Sequence, residues 1–123
     1  MVNRNYARGY TAEIKTAKHL ESFGFHVERG YASKGTFDLY GFRHDLILLV
    51  QCKRVKTLIK KTQSIFNRYK DELKKISEIQ CPDNAYKLLA YYEDKQPGSR
   101  TATLKFYKIY SDHLEEIEIK KSI

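Results

Sequence analysis

Asp38, Gln51 and Lys53 are an acid, an amide and an amine gathered around an apolar run, and together they could do chemistry. The stretch from Gly35 to Arg54 reads GTFDLYGFRHDLILLVQCKR. Residues two apart on a strand share a face, so Gln51 and Lys53 project together while Cys52 points the other way. Asp38 stands on the preceding strand, across the short connection Arg43-His44-Asp45, and is expected to lie close to Gln51. Glu13 is the fourth member, on a first helix; if that helix packs on the same face, its carboxylate joins the others. Two carboxylates, an amide oxygen and the backbone carbonyl of Cys52 form an oxygen-rich set suited to Mg²⁺, with Mn²⁺ as a substitute. A lysine beside such an ion can orient or deprotonate a water, or stabilise charge on a phosphate. Phosphodiester hydrolysis is a reaction these groups can share without an organic cofactor. Each residue alone also has a plain structural reading: Asp38 in a turn, Gln51 and Lys53 where a strand emerges, Glu13 paired with Lys53. Convergence from three elements favours the chemical one.

The elements that must position these groups are legible in the hydropathy pattern. Tyr10, Ala17 and Leu20 form one stripe with Ile14 beside them, which predicts a helix over 6–22 with Glu13 inside the stripe. Gly24 is the candidate left-handed cap. Strands are predicted over 25–31, 36–42 and 46–53. The run 46–50 is apolar without alternation, so both its faces should be covered, as in a central strand. Thr62, Ile65, Phe66, Tyr69, Leu73 and Ile76 keep a helical period, which predicts a single second helix over 62–79, stopped by Pro82. Strands over 85–93 and 101–110 follow around a polar loop, and 114–120 offers a last edge strand. The order implies a compact α/β domain, a mixed central sheet flanked by helices.

The totals are consistent with this. A chain of 123 residues fits one domain, residues 1–123, and buries a core without disulfides or a structural metal. No apolar run approaches the roughly 18 residues of a membrane span, and the start lacks a signal-peptide core, so no membrane partner is expected. Cys52 and Cys81 form no CxxC and are expected as free thiols of a cytoplasmic protein. None of the four histidines, His19, His26, His44 and His113, has metal-ligand spacing. The net charge of +8 favours a polyanionic partner, nucleic acid first. Lysines and arginines crowd the start and outer side of the second helix, a plausible phosphate track.

The pattern resembles the PD-(D/E)xK nucleases of restriction-endonuclease-like fold, and within them the archaeal-type Holliday junction resolvases. RNYARGYTAE is similar to that family's basic N-terminal stretch, with Arg8, Gly9 and the helical Glu13. FGFHVERGYASKGTFDLYG is similar to the segment holding a Gly-Phe turn, a serine loop and the motif aspartate, here Gly24-Phe25, Ser33 and Asp38. LLVQCKR is similar to the (D/E)xK strand, with Gln51 at the acidic position and Lys53 as the lysine. Phe37 stands where the motif has proline, and Gln51 removes one negative charge. The resemblance implies a Mg²⁺-dependent structure-specific endodeoxyribonuclease that resolves four-way DNA junctions as a homodimer. Glu13, Asp38, Gln51 and Lys53 would be catalytic, and Glu13, Asp38, Gln51 and the Cys52 carbonyl would be the ligands. Arg4, Arg8, Ser33, Lys34, Arg54, Lys56, Lys60 and Lys61 would touch DNA. The strands around Tyr91, Tyr92 and Phe106 are candidate dimer surfaces.

Two alternatives stay open: another DNA nuclease of this fold, cutting duplex, flap or single strand, and a DNA-binding module weakened by Gln51. All three require binding governed by phosphate contacts. The logarithm of the association constant should fall with the logarithm of salt at about −0.9 per phosphate contacted on duplex arms. Charge reversal at Arg4, Arg8 or Lys34 should flatten that slope in fluorescence anisotropy titrations, whereas a salt-independent affinity would exclude nucleic acid.

Overall fold

Glycine ends the first helix, and that ending sets the direction of everything after it. In the computed structural model, α1 spans Arg4–Glu21. Gly24 has a φ of 92°, its amide donates to the Glu21 carbonyl, and the Phe25 amide reaches back to the Leu20 carbonyl at 3.3 Å. This is a Schellman motif, completed by packing of Phe25 and Leu20 in one apolar cluster. The structure describes residues 4–30, 36–56, 61–95, 97–98 and 101–121, with 4–9 by backbone alone.

Among the described residues six strands follow in a single sheet whose spatial order is also their chain order: β1 (His26–Arg29), β2 (Leu39–Phe42), β3 (Ile47–Val55), β4 (Ala85–Glu93), β5 (Thr103–Ile109) and β6 (Leu114–Ile117). All neighbours are antiparallel except β3 and β4, which are parallel and need a crossover. That crossover is helical, so the fold is α/β with a mixed sheet. The β2–β3 hairpin closes through mutual hydrogen bonds of Arg43 and Leu46, as the short connection predicts.

The sheet divides the core in two. Leu39, Leu48, Val50, Leu88, Ala90 and Phe106 face Ala17 and Leu20 of α1. Leu89, Tyr91, Tyr107 and Ile109 face Ile65, Phe66, Leu73 and Ile76 from the crossover helices. The central run 46–50 therefore lacks alternation for the expected reason: Leu48 and Val50 serve one layer, and Leu49 packs on the other.

Three expectations are corrected. The crossover is two helices, α2 (Thr62–Arg68) and α3 (Lys70–Ser77), because Tyr69 leaves helical geometry at φ −115°, ψ 25°. Its amide bonds the Phe66 carbonyl in a tightened turn, while its ring packs on the core. Tyr10 is 44% exposed and lies outside the buried stripe, which runs through Ala12, Thr16, Ala17 and Leu20. Tyr91 and Phe106 are buried in the two layers, so they form core and cannot present a dimer surface. Among the described residues no helix is long and apolar enough to cross a membrane.

Arg43 joins segments that the sheet alone does not join. Its guanidinium, with only 7% of the side chain exposed, donates to both Asp45 carboxylate oxygens, to the Phe23 carbonyl and to the Lys120 carbonyl. It also lies 4.3 Å from the Phe25 ring centroid. Replacement Arg43→Met keeps the apolar stem and strands three acceptors. A loss of about 2 kcal/mol or more is expected in urea unfolding, and a loss well below that would show the guanidinium to be dispensable.

Candidate active site

The site forms where a strand runs out. β2 pairs with β3 only from Leu39↔Val50 to Phe42↔Ile47, while β3 continues to Val55. From Gln51 onward β3 has no partner strand on that side among the described residues, and its amides need other acceptors. Asp38 supplies one: its amide donates to the Val50 carbonyl at 2.8 Å, and its Oδ2 accepts the Cys52 amide at 2.9 Å. The N–H and C=O of one strand residue point to the same side, so the Cys52 carbonyl also opens toward Asp38. Gly30 holds the other flank, donating to the Asp38 carbonyl at 2.7 Å. A methyl group on Gly30 would overlap the Phe37 carbonyl oxygen, so only glycine allows β1 to approach this turn so closely.

Gln51 and Lys53 project together, as alternation requires. They pair in register with Leu89 and Tyr91, which face the α2–α3 layer. Gln51 is half-buried, and its amide has no hydrogen-bond partner among the described residues. Lys53 Nζ lies 2.9 Å from Glu72 Oε2 of α3 and 5.2 Å from the Tyr69 ring centroid. The sequence did not single out Glu72, and it marked Tyr69 only as part of the helical stripe. Glu72 is one acid in a charged helix, and only the crossover brings it over β3.

Glu13 arrives from the other layer: α1 does not cover the face of Gln51 and Lys53, the condition set for Glu13 to join them there. Helix α1 packs over Leu48, Val50 and the half-buried Cys52, on the opposite side. Glu13 heads the buried stripe at the rim, and its Oε2 accepts from Arg29 Nη2 at 2.6 Å. The Arg29 guanidinium in turn lies 4.5 Å from the Tyr10 ring. Glu13 is thus paired with Arg29 and not with Lys53. Its charge still reaches Asp38, as does that of Glu72.

Asp38 is the electrostatic centre. Burial raises its pKa above the ordinary aspartate value; the Cys52 amide opposes that shift, Glu13 and Glu72 add to it, and Lys53 works against it. Burial also pushes the Cys52 thiol far up, and the nearby Asp38 charge adds to the effect. The Cys52 side chain is therefore a neutral thiol against Thr16, consistent with its reading as a small packing residue.

Among the described residues no three His, Cys, Asp or Glu side chains form a group that could hold a metal ion. A cation here therefore depends on the Gln51 amide and the Cys52 carbonyl as well as on carboxylates. The donor set fits a hard ion. Among the described residues neither Asp38 Oδ1 nor the Gln51 amide oxygen has a donor, and the charges of Glu13 and Glu72 are felt at Asp38.

The surface residues fare unevenly. Arg54 donates to Asp94 Oδ1 at 2.5 Å and stacks by Tyr92, on the face away from Gln51 and Lys53. Lys56 and Lys61 are exposed, at the end of β3 and at the start of α2. Arg4 and Arg8 lie in α1 with their side chains outside the description, and Ser33, Lys34 and Lys60 fall outside the described residues.

By sequence the chain matches no family model and no curated protein. Among solved structures, a bacterial homing endonuclease aligns over 96% of this chain and 80% of its own, at 12% identity and a TM-score of 0.49. A likeness of that depth carries no functional argument, and the chemistry has to come from the site itself.

The raised Asp38 pKa has a definite sign for stability. The native state holds this proton more tightly than the unfolded chain. The contribution is present below the unfolded carboxylate pKa and is lost as pH rises through the native value. Asp38→Asn keeps an acceptor for the Cys52 amide and removes the buried charge. Urea unfolding across pH should show the variant gaining on wild type through that window and then levelling off. A difference that does not change with pH would mean that Asp38 is not held in this environment.

Proposed function

We propose that this protein is a divalent-metal-dependent endodeoxyribonuclease that resolves four-way DNA junctions as a homodimer. The observation that carries the nuclease reading is the junction of Asp38 with the open end of β3. Its carboxylate accepts the Cys52 amide, and the Gln51 amide, the Cys52 carbonyl and the Lys53 ammonium belong to the same short stretch. Asp38, Gln51 and the Cys52 carbonyl would hold Mg²⁺ or Mn²⁺, with Glu13 contributing through its carboxylate, one oxygen of which accepts from Arg29. When bound, such an ion polarises the phosphodiester and lowers the pKa of a coordinated water. Asp38 and Gln51 orient the ligand sphere, and their half-burial limits competing solvent. Lys53 is the residue whose ammonium donates to a phosphate oxygen or aligns the attacking water. Arg4, Arg8, Ser33, Lys34, Lys56, Lys60 and Lys61 would track the backbone, in keeping with the net charge of +8. Arg54, engaged by Asp94, would do so only from the sheet's other face.

The junction and the dimer rest on the resemblance of residues 4–54 to junction resolvases. Paired nicks across a four-way junction need two active sites, and the described residues offer one such site. A second reading, a DNA-binding module without cleavage, is favoured by Gln51, which leaves the site one acid short. It is favoured too by the pairing of Glu13 with Arg29 and of Lys53 with Glu72.

Cleavage separates the two. A four-way junction, a duplex, a flap and a single strand are offered at fixed salt with Mg²⁺, Mn²⁺ or EDTA. Metal-dependent cutting of the junction is expected, with symmetric nicks. Asp38→Asn should abolish it and leave binding intact, and Lys53→Ala should depress turnover more than affinity. Gln51→Glu should tighten Mg²⁺ in calorimetric titration, because it adds a charge opposite Asp38. Cutting by Asp38→Asn at the wild-type rate would remove the proposed site, and equal Mg²⁺ affinities for Gln51 and Glu at this position would remove Gln51 from it.

A further inference from the structure

Lys53 has a carboxylate partner that its own strand does not supply. Gln51, two residues earlier and on the same face, is neutral. Glu72 Oε2 stands 2.9 Å from Lys53 Nζ instead. The two side chains are 43% and 26% exposed respectively, and an ion pair this accessible adds little to stability. Stability therefore does not account for its position.

That position is set by the helix break. Tyr69 departs from helical geometry, so α3 begins at Lys70 and carries Asp71 and Glu72 in its first turn. Acids are favoured there by the unpaired amides and the partial positive charge of a helix N-terminus. The same break turns the Tyr69 ring to 5.2 Å from the Lys53 ammonium. Residues 67–72 line an open surface depression on the far side of the break. The ammonium is thus held between a carboxylate and an aromatic face. The Glu72 charge is also felt at Asp38, so the acid lies within the field of the proposed site.

We infer that Glu72 is a positioning residue for Lys53, holding its ammonium from α3. Glu72 limits the directions the ammonium can take and keeps it on the side of β3 where Gln51 projects. The consequence for cleavage rests on the nuclease reading; the orienting contact does not.

Wild type, Glu72→Gln and Glu72→Asp test this with two measurements. The first is trace acetylation of Lys53 relative to the exposed Lys74, read by mass spectrometry. The second is the single-turnover rate on a four-way junction with Mg²⁺, together with its Kd. Glu72→Gln is expected to acetylate roughly two- to fivefold faster at Lys53, the range set by loss of a partly exposed ion pair. Its cleavage should fall about tenfold or more, as for other lost orienting partners, with Kd within about twofold because one charge among many phosphate contacts matters little. Glu72→Asp should retain most of both properties. Unchanged acetylation of Lys53 in Glu72→Gln overturns the inference, and so does a Glu72→Asp variant that loses as much cleavage as Glu72→Gln. A wild type that cuts no DNA ends the nuclease reading, and acetylation alone then decides the pairing.

Discussion

One hydrogen bond organises this molecule's polar end: the Cys52 amide donating to Asp38 Oδ2. A central strand that outruns its neighbour exposes backbone amides inside the protein, and each must find an acceptor. A carboxylate is a strong acceptor but costs free energy to bury. Asp38 meets both conditions at once. Its acceptance of the amide lowers the cost of its charge, and the residual cost remains as a raised pKa. An acid kept half-buried and short of donors is well suited to a cation.

The charges around it are arranged so that none is left alone. Glu13 is held by Arg29, and Lys53 by Glu72, on opposite sides of the sheet. These partners lie on different elements: α1 with β1, and β3 with α3. The site is therefore strung between both core layers, and its geometry depends on how those layers pack. Gly30 and Arg43 act at a distance on the same geometry. Gly30 lets β1 close on the turn before β2, and Arg43 ties the β2–β3 hairpin to the end of α1 and to the chain's last described segment.

Such pairing has a functional cost. Any phosphate that engages Lys53 competes with Glu72, and any cation that engages Glu13 competes with Arg29. Both pairs are partly exposed, which weakens them and keeps the exchange accessible. A fully buried version would be more rigid and far harder to open.

Much of this was legible in the chain itself. The apolar run 46–50 identified the central strand because a strand covered on both faces has no use for alternation. Gly24 marked the helix cap, since a left-handed residue there tolerates no side chain cheaply. Spacing alone put Gln51 and Lys53 on one face and Asp38 across a short hairpin, because strand periodicity and hairpin closure are local. What stayed hidden is what depends on packing between distant elements. Periodicity defined a stripe on α1 but not the layer it would enter, so the face that Glu13 joins stayed open. A continuous helical pattern over 62–79 concealed the break at Tyr69, where tertiary packing of one ring outweighs local propensity. Tyr91 and Phe106 looked like surface because aromatic strands read alike whether they line a core or an interface. The sequence by itself determined the strands, the hairpin and the order of the polar groups along them. Only the tertiary structure decided which charges meet, because Glu13 with Arg29 and Lys53 with Glu72 are contacts across elements whose orientation no local pattern encodes.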